Sequence, residues 1–428
     1  MRQQRRACPP RAGAQNLIRF LTEVTALSGC HEGALMSDDV RIGQRIRRYR
    51  RSRGLSLDQA AGLAGISKPY LSRLERGERS LNSRALLNRI SSALQVPVPD
   101  LTDQPYVPRG RAAADLRPGV TETRLALLDP SGPPRSEAEI ASGVDGLDLL
   151  MNSSDPVGQA RVVPDLLRWT QQSALMLGTP AAYQRVVVAA YAAVFMMRNL
   201  GEYDLAWMAA ERMRAAAEHT VDPATLGFAA YAQAHALVGA GALRRARAAA
   251  YAMAQAMPVT DREGLAARGS CLLVAASTSA KLGDIDGARE LVAEAGRLAE
   301  RLDGPTLIAR HTSFATWNVI MHRVAIEVEG GDPAAAVDAA YPLCQRPVPN
   351  RERMSYLWVD VGRAFEQLDR RPEAIEAFRR AERAAPLRVR LSPVVSRCVS
   401  ELLDKSHRRA GGADLRGLAE RCGVLGHS

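Results

Sequence analysis

Residues 56–77 read SLDQAAGLAGISKPYLSRLERG, and the fold of the N-terminal quarter of the chain follows from this stretch. Ser56 stands three residues before Gln59, the capping-box spacing that opens a helix, and Leu57, Ala60, Ala61 and Ala64 place apolar groups along it. Gly65 stops that helix and supplies a tight turn. Ser67 then reads as a second N-cap, Pro69 is tolerated in a first turn, and Tyr70 to Arg76 continues to Gly77 with Leu71 and Leu74 facing inward. Small Ala61, four residues before Gly65, lets the two short helices cross closely.

Working outward, Ile42, Ile46 and Tyr49 share one helical face upstream, while Arg41, Arg45, Arg47, Arg48 and Arg51 cover the others. Residues 1–110 hold 19 of the 57 Lys and Arg but only 9 of the 46 Asp and Glu, so nearly all of the formal +11 sits at one end and the remainder is almost neutral. Such asymmetry points to a polyanionic partner, nucleic acid or an anionic membrane surface. Only Lys68, Lys281 and Lys405 are lysines; GC-rich coding explains Arg over Lys, but not the clustering. The longest apolar run, Val186 to Met197, is bracketed by Arg185 and Arg198 and is shorter than a bilayer span, which suits a buried helix. With no signal-peptide core, the expectation is a cytoplasmic protein without a membrane partner. Cys8, Cys30, Cys271, Cys344, Cys398 and Cys422 form no CxxC pair, which argues against a zinc knuckle or a disulfide framework.

From Ile42 to Leu101 the chain resembles the XRE (Cro/repressor-type) helix-turn-helix, carried by Arg50 to Gly54, Leu55-Ser56, Ala61, Gly65-Ile66-Ser67, Tyr70 to Gly77, Leu87, Ile90, Ala93-Leu94 and Val96. The resemblance implies a five-helix, lambda-repressor-like domain that binds double-stranded operator DNA as a homodimer. It assigns Ser67, Lys68, Pro69, Ser72 and Arg73 to the base-reading face, where Arg can bind guanine O6 and N7 with two hydrogen bonds. Arg76, Arg79, Asn82 and Arg84 fall where phosphates would be met. Arg50 and Glu75 would form a structural ion pair between helices. Leu57 departs from the family pattern, which often has a phosphate-binding Gln there.

Eight of the 24 prolines crowd into residues 97–134, so residues 104–136 read as a Pro-rich linker with at most short helical pieces. Residues 1–36 read as a disordered leader, 37–103 as the DNA-binding domain, 137–405 as a helical repeat domain and 406–428 as a tail. Gly201, Gly241, Gly283 and Gly331 each precede small residues at helical spacing: Ala206 and Ala210, Ala246 and Ala250, Ala288 and Val292, Ala336 and Ala340. A fifth segment, with Trp358, Val361, Gly362, Phe365, Ala374, Phe378, Ala381 and Pro386, resembles the tetratricopeptide motif in full. The alignment alanines lie 40, 42, 48 and 38 residues apart, so longer connections than the standard 34-residue repeat are expected. The fold class is thus all-α: a helix-turn-helix domain followed by an α-α superhelix.

Stacked helix pairs present a concave face, and Tyr191, Phe195, Arg198, Phe228, Tyr231, His235, Asn318, Met321, His322 and Arg363 fall on it as a candidate groove for a peptide or small-molecule effector. No Gly-Lys phosphate cradle, HExxH or GxSxG occurs, and the seven histidines have no partnering pattern; the sequence carries no sign of catalysis, cofactor or metal. Combined, the halves resemble XRE-family regulators of the long actinobacterial type, with a tetratricopeptide-like domain that dimerises or senses an effector. The reading left open beside it is an adaptor that docks a protein partner on the repeats, with DNA binding secondary.

Overall fold

A computed structural model describes residues 38–424, except 80, 82–83, 97–100, 102–110, 134, 303, 309–311, 346–349, 391, 407–412 and 423. The expected leader, residues 1–36, lies outside the described residues. The first domain comprises α1 (Asp38–Ser52), α2 (Leu57–Ala64), α3 (Lys68–Glu75) and α4 (Arg84–Leu94). Its core is the set the helical spacing selects: Ile42, Ile46, Ala60, Ala61, Ala64, Leu71, Leu74, Leu87, Ile90 and Leu94, joined by Leu101. The fifth helix of the implied bundle would fall largely on residues outside those described.

The second domain begins earlier than the proline count suggests. Helix α5 (Arg111–Leu128) runs through Pro118 and buries Leu116, Ala126 and Leu127 in the main core, so residues 104–136 are not a linker throughout. The prolines mislead because the side of α5 that packs is apolar, and packing overrides one lost backbone hydrogen bond. Then follow α6 (Glu137–Asn152), α7 (Pro156–Leu177), α8 (Pro180–Asn199), α9 (Tyr203–Glu218), α10 (Pro223–Gly239), α11 (Leu243–Ala256), α12 (Arg262–Lys281) and α13 (Ile285–Glu300). A short antiparallel pair, β1 (Thr306–Ile308) and β2 (Thr312–Phe314), interrupts the helices, in register Thr306 to Phe314. The chain closes with α14 (Thr316–Gly330), α15 (Pro333–Gln345), α16 (Arg351–Gln367), α17 (Arg371–Ala384), α18 (Pro386–Arg390), α19 (Pro393–Ser406) and α20 (Ala413–Arg421). The expected tail is thus partly structured: α20 buries Leu415, Leu418 and Ala419 in the C-terminal core.

The five sequence segments are five helix pairs, α8–α9, α10–α11, α12–α13, α14–α15 and α16–α17. Gly283 turns the third at φ 90°, and Gly201, Gly241 and Gly331 hold the equivalent place in their own pairs. The alignment alanines are the contact points: Ala206, Ala246, Ala288, Ala336 and Ala374 are all fully buried. In the fifth pair, a Cβ on Gly362 would lie 2.7 Å from the Phe378 ring, so glycine there is what lets α16 and α17 touch. Helix α8 is long and apolar enough to cross a membrane by length and composition, yet two thirds of that window is buried inside the fold.

Candidate nucleic-acid interface and central cavity

Both short helices of the first domain start as their residues dictate. Ser56 Oγ accepts from the Gln59 amide while Gln59 Oε1 accepts from the Ser56 amide, and Ser67 Oγ accepts from the Tyr70 amide. Gly65 caps α2 in the left-handed region, φ 63° and ψ 38°, a conformation that strains any residue with a Cβ. A feature the sequence did not announce fixes the approach of α1: a Cβ on Gly43 would lie 2.2 Å from the Leu74 carbonyl oxygen of α3. Arg50 is buried against Glu75, donating Nε to Oε1 at 2.5 Å and Nη2 to Oε2 at 2.9 Å. Its remaining Nη1 donates to the Leu55 carbonyl at 2.8 Å, so one guanidinium ties α1, α3 and the intervening turn together.

That frame holds α3 with one face outward. Ser67, Lys68, Pro69 and Arg73 are exposed and Ser72 is half-buried. Arg73 makes no ion pair among the described residues. Lys68 instead pairs with Asp58 on α2 at 2.6 Å, both side chains more than half exposed. Such a surface pair contributes roughly 0–1 kcal/mol, little against a phosphate or base. Arg76 is held by Ser72 Oγ and by both oxygens of Glu78, whose carboxyl the Arg76 hydrogen bond keeps below the usual range. Arg79 is exposed and lies over the Tyr70 ring, 5.6 Å from its centroid. Asn82 is outside the described residues; Arg84 opens α4, and its side chain is not described. Leu57 packs against the domain core rather than facing outward, consistent with its departure from the family pattern.

The repeat helices curl far enough for the ends of the superhelix to meet. Asn199 Nδ2 on α8 donates to Glu352 Oε1 on α16 at 3.2 Å, Arg198 Nη2 donates to the Tyr356 hydroxyl at 3.0 Å, and Asn350 Nδ2 donates to Asn152 Oδ1 at 3.0 Å. The concave face becomes a cavity of about 370 Å³, with an adjoining lobe of about 260 Å³. Among the candidate groove residues, Tyr191, Phe195, Arg198, Tyr231, His235, Asn318, Met321 and His322 line it. The other two do not. Phe228 is fully buried behind the lining, its ring centroid 4.5 Å from that of Tyr191. Arg363 is buried too, donating to Glu329 at 2.8 Å and Asp360 at 2.9 Å, so it braces two lining carboxylates and offsets one of their two charges instead of facing a ligand.

Residues absent from the sequence reading complete the lining: Ser277 and Lys281 on α12, and Glu352, Arg353 and Tyr356 on α16. Arg353 and Tyr356 share a helical face with Asp360, and this spacing was the one available signal. His235 accepts from Arg198 at Nδ1, 2.9 Å away, and burial first, then Arg198, Lys281 and Arg353, hold it far below its ordinary pKa. His322 lies 2.6 Å from Ser277 Oγ and is lowered to about 3 by burial and by the charges of Arg353 and Lys281. Both imidazoles are therefore neutral. Of the described cysteines Cys271, Cys398 and Cys422 are buried and Cys344 is half-buried, and desolvation raises all four to about 12, so none is poised as a nucleophile.

The two domains touch. Arg397 Nη1 on α19 donates to the Leu81 carbonyl at 2.9 Å, and Asn88 Nδ2 on α4 donates to the Lys281 carbonyl at 3.3 Å.

Residues 41–104 match a family model described as a helix-turn-helix domain. The HTH-type transcriptional regulator SinR of Bacillus subtilis (strain 168) is 42% identical over 65 residues, 15% of this chain and 59% of that one. The HTH-type transcriptional regulator SlrR of the same organism is 42% identical over 62 residues, 14% of this chain and 41% of that one. The chain thus spans less than two thirds of the length of either relative. A crystal structure of PlcR of Bacillus thuringiensis in complex with the peptide PapR7 and DNA covers 81% of this chain and 94% of that one at 13% identity and a TM-score of 0.32, too distant a likeness to argue from. Geometry and likeness agree on the first domain: residues 41–104 are a helix-turn-helix domain of the kind found in transcriptional regulators.

Proposed function

We propose, from the premise that residues 41–104 are a helix-turn-helix domain, that the chain is a sequence-specific DNA-binding transcriptional regulator whose superhelix receives an effector. The observation that carries the first half is the exposed face of α3, with Arg73 in no ion pair among the described residues and Arg50–Glu75 fixing the helix beneath it. In this reading Ser67, Lys68, Pro69, Ser72 and Arg73 face base edges, while Arg76, Arg79, Asn82 and Arg84 position the domain on phosphates. Two copies would place their α3 helices about one DNA turn, roughly 34 Å, apart. The second half is supported by the cavity, whose volume lies in the range of ligand sites, and by the contact of its helix α12 with α4. An effector that fits one placement of the DNA-binding domains better than another shifts operator affinity by that difference.

The test is selection of bound sequences from random duplex DNA with the full chain, followed by affinity measurement across salt. A regulator enriches a defined site and loses affinity with a log-log slope near −0.9 per phosphate neutralised. Salt-insensitive binding with no enriched site would overturn the reading in favour of an adaptor.

A further inference from the structure

Two features of the cavity limit what fits. The bridges from Arg198 to Tyr356, Asn199 to Glu352 and Asn152 to Asn350 close the concave face where an extended peptide would have to run out of it. Its contents must be compact. The second feature is charge. Glu329 and Asp360 share Arg363, which offsets one of their two negative charges.

The cations at the closure are in the opposite condition. Arg198 meets only neutral acceptors: His235 Nδ1, Asn199 Oδ1 and the Tyr356 hydroxyl. Arg353 reaches the Tyr231 hydroxyl at 3.5 Å and, among the described residues, hydrogen-bonds no carboxylate, Glu352 acting on it only through space. Arg388, on the adjoining lobe, lies over the Tyr356 ring, 3.3 Å from its centroid, with Nε and Nη1 buried and, among the described residues, unpartnered. The Nε2 of His235, the donor end once Nδ1 accepts from Arg198, is also buried without a partner. Among the described residues none of these three guanidiniums sits in an ion pair. All three are half-buried, so each carries part of the cost of desolvating a cation without a counter-ion, and a bound anion offsets it. The Tyr356 phenol registers the same field: desolvation pushes it up, yet Arg388 and Arg198 outweigh desolvation and bring it below its ordinary value.

Beside these donors the lining is flat and aromatic. Phe195 stacks with Tyr231 at 6.1 Å between centroids and meets Tyr191 at 4.7 Å, and Arg198 lies over the Phe195 ring at 4.9 Å. Glu352, next to Arg353, disfavours a second negative charge on a ligand, and the planar guanidinium fork matches a carboxylate.

Resting on the effector half of the proposed function, we infer that this cavity binds a small organic acid with a flat apolar body, its carboxylate held at Arg198 where the two lobes meet, with Arg353 on the main side and Arg388 on the adjoining side, and its body against Phe195 and Tyr231. The acid enters as the monoanion and is not transformed.

The experiment pairs acids with their uncharged amides, benzoate with benzamide, 1-naphthoate with 1-naphthamide and indole-3-acetate with indole-3-acetamide, titrated into the full chain by calorimetry and thermal shift. At least one acid is expected to bind tenfold or more tightly than its amide. Arg353→Gln and, separately, Arg388→Gln are expected to weaken the acid tenfold or more while leaving the amide within twofold, with circular dichroism confirming that each variant is folded. Equal binding of acid and amide, absence of binding by every acid at millimolar concentration, or retained acid affinity in both folded variants would overturn the inference. Binding of linear pentapeptides in place of every acid would do the same. Operator binding is measured on the same preparations without ligand; its persistence alongside failed acid binding sinks this inference alone, and its absence sinks the DNA reading.

Discussion

Asn88, on α4, donates its side-chain amide to the carbonyl of Lys281, and Lys281 is both the last residue of α12 and part of the cavity lining. One hydrogen bond of 3.3 Å thus separates the DNA-binding domain from the helix a ligand would touch. In the proposed reading a ligand that displaces the end of α12 changes where α4 can rest, and α4 packs against α2 of the helix-turn-helix. The Arg397–Leu81 bond is a second tether that the cavity does not contact, so the contribution of each can be separated.

Asn88→Ala is expected to leave both ligand affinity and ligand-free operator affinity within about twofold, and to remove about 1 kcal/mol of the coupling between them. Operator Kd measured with and without ligand, for wild type and variant, checks it. An unchanged ratio would place the coupling elsewhere.

Arg73→Ala should relax base preference at one operator position, with about 1–3 kcal/mol of discrimination lost there. Arg79→Ala should instead weaken every sequence alike and reduce the salt slope by about one. Binding to a library of single-base operator variants distinguishes the two outcomes.

Removing one partner of a buried ion pair leaves the other charge stranded. Glu75→Lys sets two cations against each other at the α1–α3 junction, and about 3–5 kcal/mol of the stability of the domain should go with it. Chemical denaturation of the full chain, followed at the lower transition, provides the readout; an unchanged midpoint would mean Arg50 and Glu75 do not set the helix angle.

Gly362→Ala forces a methyl group onto the Phe378 ring and is expected to cost about 1–3 kcal/mol in the repeat domain. Adding Phe378→Leu, which vacates the ring edge, should return part of that loss. A lowered melting temperature in the single variant and partial recovery in the double variant are the expected pattern.

The neutral histidine at the cavity links stability to acid. His322 takes up its proton near pH 3 in the folded chain and near 6.5 in the unfolded one, so below 6.5 the unfolded state binds more protons. Its contribution is complete above pH 6.5 and drains away as pH falls toward 3, by at most about 1.4 kcal/mol per pH unit. His322→Gln should flatten unfolding free energy against pH in that window. An identical slope would show that His322 is already protonated in the folded state.

The helix-turn-helix was legible because each of its decisions is local. Ser56 and Ser67 cap within three residues, Gly65 turns the chain where it stands, and the apolar spacing that chooses Ile42, Leu71 and Leu74 needs no distant partner. Even Arg50–Glu75 was accessible through resemblance. The repeats were legible for the same reason, since the small residues that let two helices touch recur after each turn. Helix α5 was not, because its prolines signal a linker while the surface that makes it a helix belongs to α7. Arg363 and Phe228 were placed on the right helices but the wrong side of the lining, a difference of depth that periodicity does not carry.

What the chain determined by itself was therefore the set of helices, their pairing and the cationic N-terminal end, because capping, turn geometry and periodic burial act over a few residues. What the tertiary structure alone decided was the closure of the superhelix, which brings Arg198 from one end to Arg353, Tyr356 and Arg388 at the other. Small rotations at each helix pair accumulate into that closure. No single repeat encodes the sum, so a cationic, aromatic cavity appears only when all five are stacked.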